Sequence, residues 1–355
     1  MSVLPEGVVG GYPAGPAELS WPIGDWPRGE ASVDLGALLE RALDPDGPLA
    51  TSYAVVIVEG GRIVAEVYNG ALGSFVDEPR PVEASTPLLS WSMAKSMLSI
   101  VVGSLIAEGR LELDAPAAVP EWSAPDDPRG QITLRDLLEM RDGLDFVEEY
   151  SDEGVSDVIE MLFGSGTADM AHFAADRPLA APPGSRFNYS SGTTNIISRL
   201  VGDLLGGEDA MRAALDERLF GPLAMTSARP SFDEAGTFIA SSYVHATAQD
   251  FARFGLMLCR GGMAGATRIV PTTYIDYLRR PRSIDEDDGF FYSAQFWVQG
   301  DEQGSFSCHG YEGQRIIAVP PLDLVIVRLG QTSSDFSSQL RAWEDDLIAA
   351  FADAR

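Results

Sequence analysis

Ser92 and Lys95 stand three residues apart in the stretch Ser92-Met93-Ala94-Lys95, and Lys95 is the only lysine of the 355-residue chain. Every other basic residue is arginine. A guanidinium keeps its proton in a protein, whereas a desolvated lysine amine can lose it and act as a base. A serine hydroxyl needs such a base to become a nucleophile. Residues i and i+3 share a helix face, so the two side chains can touch. A serine in the first helical turn also carries a backbone N–H with no intrahelical acceptor, which can face a developing oxyanion with help from the helix dipole. The spacing alone fits equally a helix-capping serine and a lysine that snorkels to the surface.

Two further stretches could complete such a centre. Tyr189-Ser190-Ser191 follows the turn-rich run 182–188 and precedes a helical pattern. A tyrosine fixed there can share a proton with Lys95 and act in turn as general base and general acid. A packed tyrosine with an exposed hydroxyl fits the same residues. The second stretch is Cys308-His309-Gly310-Tyr311-Glu312-Gly313-Gln314, just before an apolar strand. Glycines beside an edge strand let a substrate approach the backbone. A main-chain N–H near Gly310 or Tyr311 can then complete an oxyanion hole. His309 as the base of a Ser/His/Asp triad stays open, although no G-x-S-x-G elbow surrounds any serine.

These side chains must be held by the elements around them. The first 30 residues, rich in Gly and Pro, predict a surface arm, and Asp34 to Ala42 a short helix capped by Asp34. Two strands, 53–58 and 62–68, flank the turn Gly60-Gly61. Met93 to Glu108 predicts a helix apolar over most of its circumference and stopped by Gly109, hence buried. Helices are expected from Thr133 to Met140, with a loose Thr133/Asp136 capping box, and over 195–205, 210–219, 246–258, 273–279 and 337–352. Strands are expected over 294–299, 315–319 and 324–329. Strands in both terminal thirds imply an α/β (α+β) unit built from residues 1–115 and 235–355. A mainly helical domain, 116–234, is inserted between them, with the active site at the junction. Segments 145–157 and 241–243 are expected to wall the pocket.

Composition narrows the function classes. A net charge of −28 opposes nucleic acid and anionic membranes as partners. Three scattered histidines, His172, His245 and His309, argue against a zinc site and so against a metal-dependent hydrolase. Cys259 and Cys308 have neither metal nor disulfide-framework spacing, and Cys259 reads as a buried thiol. No apolar run reaches membrane-spanning length, and the segment 1–6 lacks signal-peptide character, so a cytoplasmic location is the expectation.

The stretches 91–96, 137–146, 187–191, 246–255 and 310–314 together resemble the serine β-lactamase-like superfamily of penicillin-recognising hydrolases. Within it they are most similar to the class C-type branch that contains family VIII carboxylesterases and 6-aminohexanoate-dimer hydrolases. The resemblance covers roughly residues 50 to 345. It implies a β-lactamase/transpeptidase-like fold, with an antiparallel sheet flanked by helices. It implies an acyl-enzyme formed on Ser92, with Lys95 and Tyr189 as the acid–base pair and no cofactor. It places Gly310, Tyr311, Gly313, Gln314, Ser191 and His309 at the oxyanion or substrate-binding positions. The departures from the family pattern are a missing K-T-G triad, replaced by Ser307-Cys308-His309, and a Y-x-N motif changed to Tyr189-Ser190-Ser191. His309 or Arg315 could supply the missing positive charge. Both changes favour a small ester or amide substrate over a β-lactam or a DD-peptidase substrate. A non-catalytic binding relative is the reading from another class.

Overall fold

The protein was analysed as a computed structural model, which describes residues 11–15, 18–73, 78–150, 156–286 and 289–355. Parts of the expected arm (1–10 and 16–17) and of the expected pocket wall (151–155) lie outside the described residues. Alternating apolar residues and a Gly-Gly turn give the hairpin of β1 (Thr51–Glu59) and β2 (Arg62–Tyr68), with Gly60 and Gly61 both at positive φ. The C-terminal third adds β3 (Ser283–Ile284), β4 (Phe291–Ser293), β5 (Phe296–Val298), β6 (Phe306–Gly310), β7 (Gln314–Val319) and β8 (Leu324–Gln331). Among the described residues these form one eight-stranded antiparallel sheet in the order β3-β4-β5-β6-β7-β8-β1-β2. The two ends of the chain meet where β1 pairs with β8, from Thr51 opposite Gln331 to Glu59 opposite Leu324.

Both faces of the sheet are covered, which is why its central strands are almost continuously apolar. Val56, Val58, Ile316, Ala318, Val325 and Val327 face α2 (Met93–Ala107) and α5 (Ala248–Cys259). Val55, Ile57, Ile317, Val319 and Ile326 pack on the opposite side against Leu340, Trp343, Leu347 and Phe351 of α6 (Ser337–Asp353). Trp343 donates its indole N–H to the carbonyl of Leu38 in a short helix (Gly36–Leu43), tying the ends of the chain together a second time. Residue Asp34 accepts from the Gly36 N–H as that helix begins. The arm is strapped down by its own backbone: Arg253 donates to the carbonyl of Pro22, and Arg260 to that of Ser20. Cys259 and Cys308 are buried free thiols.

Three features differ from expectation. Strands β3, β4 and β6 escape the sequence pattern because they are short and interrupted by Ser, His and Gly. The strand over 314–319 is interior, with β6 on one side and β8 on the other, so it is not an edge. The open backbone belongs instead to β6, whose pairing with β5 ends at Ser307 and leaves His309 and Gly310 unpaired on that side. The helix expected over 210–219 runs from Glu208 to Leu215 and then widens into a π turn, Asp216–Phe220.

Helix α5 approaches the sheet at Gly255, where an added Cβ would lie 2.4 Å from Val325 Cγ1 and 2.9 Å from Ile316 Cγ2. Neither neighbour can retreat from the packed centre of the sheet. Gly255→Val is expected to destabilise the fold by about 1–3 kcal/mol, read as a lower denaturant midpoint with an unchanged m-value.

Candidate active site

The nucleophile candidate sits on a strained elbow. Trp91 has φ +46°, rare for a residue with a side chain, and it turns the chain from the short strand Leu88–Leu89 into α2. Ser90 fixes the approach: its N–H donates to the Val244 carbonyl (2.8 Å), and its hydroxyl accepts from the Val244 N–H (3.1 Å). The amides of Met93, Ala94 and Lys95 then bond back to Ser90, Trp91 and Ser92. The N–H of Ser92 itself has no acceptor among the described residues. Deeper along α2, Ser96 and Ser99 donate to the carbonyls of Gln295 and Ala294, which hold the helix against the β4–β5 turn.

Lys95 is 1% exposed, and its amine donates to three oxygens: Ser92 Oγ at 3.0 Å, Ser191 Oγ at 3.0 Å and the Ser241 carbonyl at 2.9 Å. These match the three N–H groups of an ammonium. Burial lowers its pKa to about 8, against the partial opposition of the Glu148 carboxylate. Lys95 therefore lies in a range where either protonation state is accessible. The Tyr189 ring covers it, 4.9 Å from Nζ to the ring centroid. Burial and Glu148 push the Tyr189 phenol up, and its hydrogen bond with Ser92 opposes this only in part. Its surroundings therefore favour the protonated phenol.

The loop carrying Tyr189 is held by the 137–146 stretch. Asn188 N–H donates to the Met140 carbonyl at 2.8 Å, and its side-chain amide reaches the Phe146 carbonyl at 3.1 Å. Thr193 donates to Asp142 at 2.7 Å. Asp142 also receives the Leu144 N–H at 2.8 Å. Ser190 caps the helix Ser191–Leu205 through the Thr193 N–H. Gly143 is required there, because an added Cβ would come within 2.2 Å of the Ala181 carbonyl oxygen.

Glu148 is the group that sequence reasoning missed. It lies in the expected wall segment, but nothing in the residue pattern reveals its direction. Its carboxylate accepts from both the N–H (2.7 Å) and the hydroxyl (2.5 Å) of Ser191 and from the Tyr150 hydroxyl (3.3 Å). Ser191 therefore relays between the lysine and this carboxylate. A rim of aromatic rings surrounds the mouth: Tyr311 stacks on Tyr150 at 4.6 Å and meets Trp91 edge-on at 5.4 Å. Beside Tyr189 opens a cavity of about 940 Å³, with Glu148, Trp297, Arg141, Arg186 and Arg282 among its walls. Among the described residues no group of three or more His, Cys, Asp or Glu could hold a metal. Among the described residues no helix is long and apolar enough to cross a membrane.

A family model described as Beta-lactamase matches residues 47–350. The chain belongs to the beta-lactamase family. It is a serine hydrolase of that family. It is 30% identical over 325 residues to the 6-aminohexanoate-dimer hydrolase of Paenarthrobacter ureafaciens, covering 84% of this chain and 78% of that protein. A putative 6-aminohexanoate-dimer hydrolase from Bacillus anthracis superposes with a TM-score of 0.75 at 23% identity, covering 93% of this chain and 89% of the other. A family VIII carboxylesterase superposes with a TM-score of 0.64 at 16% identity, covering 82% and 91%.

Not every expected residue of this beta-lactamase-family chain faces the nucleophile. Gly310 lies beside the elbow that leads to Ser92, since an added Cβ would meet the Ser90 carbonyl oxygen at 2.4 Å. Gln314 is buried, and its amide is used by the Tyr311 and Gly330 carbonyls and the Gly330 N–H. Gly313 is a turn residue at φ +81°. Burial, with Arg315 and Arg341 nearby, pushes the His309 pKa well below the ordinary value, which disfavours a positive charge there; the ring is stacked on Trp297 and hydrogen-bonded to Ser307 at 2.8 Å. Arg315 is paired with Glu344 at 2.8 Å.

Because Lys95 is unique, selectively labelled [13Cε]lysine gives one side-chain signal, expected to titrate near pH 8. Glu148 favours the ammonium, so Glu148→Gln should move that midpoint to lower pH. An unmoved or raised midpoint contradicts the coupling.

Proposed function

We propose that the protein hydrolyses small esters or amides through an acyl-enzyme on Ser92. The observation that carries this reading is the buried Lys95 amine, 3.0 Å from Ser92 Oγ. In the ammonium form Lys95 donates to Ser92. Once the proton is lost, the same contact reverses, and the amine lone pair accepts the serine proton as Oγ attacks the carbonyl carbon. The oxyanion so formed is received by the Ser92 N–H and by a main-chain N–H at the end of β6, near Tyr311. Tyr189, kept protonated by its surroundings, hands its proton to the leaving alkoxide or amine and is reprotonated through Lys95. Water then attacks the acyl-enzyme with the same groups in reverse order.

The choice of substrate class rests on the site and on the relatives. Tyr189-Ser190-Ser191 offers no amide at its third position, and no lysine stands on β6 to hold the carboxylate of a penicillin-like ligand. The likeness to a 6-aminohexanoate-dimer hydrolase and to a family VIII carboxylesterase supports linear amides and esters. A cytoplasmic location belongs to this proposal as well.

Ser92→Ala is expected to abolish labelling by a fluorophosphonate and hydrolysis of p-nitrophenyl acetate. Lys95→Arg keeps the charge but removes the neutral base, and should lower kcat/KM by about 10²–10⁴-fold. In the parent enzyme kcat/KM should rise with pH through about 8 as Lys95 deprotonates. Full labelling of the Ser92 variant, or near-normal turnover by Lys95→Arg, overturns the assignment. A panel of esters, linear amides and nitrocefin then separates the substrate classes, with nitrocefin expected to be the poorest.

A further inference from the structure

Arg328 is wholly buried at the centre of the sheet, on β8, with no carboxylate within ion-pair distance among the described residues. All five of its N–H donors are used. Nε donates to Ser52 Oγ at 3.1 Å, Nη2 to the carbonyls of Leu49 (2.9 Å) and Thr51 (3.1 Å), and Nη1 to those of Glu312 (3.2 Å) and Gly313 (3.1 Å). Two glycines make the space. A Cβ on Gly313 would lie 2.7 Å from Nη1, and one on Gly330 would lie 2.6 Å from Cζ. Arg315 stands directly opposite on β7, a like-charge cross-strand pair that opposes folding. Burial and Arg315 both act against the charge of Arg328. A buried cation bonded to one hydroxyl and four carbonyls, with Glu344 and Glu312 only as more distant counter-charges, is an expensive way to fill a core.

What the guanidinium holds is the turn that leaves β6. Glu312 has φ +58° and ψ +27°, and Gly313 has φ +81°. Three successive carbonyls of this turn are drawn inward: Tyr311 by the Gln314 amide (2.8 Å), Glu312 by Arg328 and the Thr332 N–H (2.9 Å), and Gly313 by Arg328. In a trans peptide the C=O and the N–H of the next residue point opposite ways, so these inward carbonyls turn the N–H groups of Glu312, Gly313 and Gln314 the other way. The turn begins at Gly310, which lies against Ser90 two residues before the nucleophile.

We propose that Arg328, with Gln314, is a positioning device for the oxyanion-binding backbone at the end of β6. The inference rests on the acyl-enzyme reading above. The guanidinium touches no substrate. It joins the start of β1 to the Glu312–Gly313 turn and so braces the peptides that follow Tyr311 where the chain leaves β6. The forked shape matters as much as the charge, because an ammonium cannot bridge five acceptors in that geometry.

Arg328→Lys and Gln314→Met test this. Each is expected to lower kcat by about 10- to 100-fold, the penalty of a misplaced rather than missing donor, with KM within about threefold of the parent. Affinity for a boronic acid, which mimics the tetrahedral oxyanion, should fall in step with kcat/KM, while fluorophosphonate stoichiometry at Ser92 remains one in folded protein. Ser52→Ala removes one of the bonds on the β1 side and leaves the turn contacts in place, so it should lower Tm with little change in kcat. Should Arg328→Lys fail to fold, Gln314→Met carries the test. The proposal is overturned if folded variants keep parental kcat, if boronate affinity does not follow kcat/KM, or if Ser52→Ala loses as much kcat as Arg328→Lys. A parent enzyme that the fluorophosphonate does not label overturns the acyl-enzyme reading itself, and the positioning role with it. A labelled parent with unaffected clamp variants removes the positioning role alone.

Discussion

Removing one primary amine from water is the constraint on which the rest of this structure depends. An ammonium in the first turn of a buried apolar helix is stable only if every N–H finds an oxygen and the helix end around it is fixed. The protein meets this with one oxygen from each of three segments: the Ser92 elbow, the start of α4 (Ser191–Leu205) and the Ser241 carbonyl. The three segments lie far apart in sequence, so tertiary packing alone brings them together. Burial then makes the amine a weak enough acid holder to give up its proton near neutrality, and Glu148 sets how readily it does so.

The same low-polarity environment governs the other ionisable groups at the site. It favours a phenol at Tyr189 and a neutral ring at His309. His309, stacked on Trp297, holds the wall beside Tyr189, whose ring lies 5.5 Å from Trp297.

Much of this was legible in the residue pattern, for physical reasons. A helix apolar all round must be buried, and Met93–Ala107 is. The capping box at Thr133 and Asp136 forms as its spacing requires. The Ser92–Lys95 contact follows from helix geometry. Glu148 and Arg328 were not legible, because a carboxylate in an acidic loop and an arginine in an apolar strand announce nothing about which way they point. The resemblance places Gln314 and Gly313 at the substrate, whereas the Gln314 side chain is buried against the Tyr311 and Gly330 carbonyls and Gly313 forms a turn at φ +81°. The unpaired end of β6 was placed one strand too far along, since short strands broken by glycine lack the alternation that marks longer ones.

The arginine-only periphery has a consequence for the chemistry of the protein's own surface. With its sole lysine side chain sealed inside, the molecule offers activated acyl donors and aldehydes no exposed ε-amine on which to condense. Guanidinium groups provide the outward cationic contacts, such as Arg135 with Asp114, and they are far poorer nucleophiles. A hydrolase with such a surface therefore has little tendency to decorate its own exterior with reactive acyl groups.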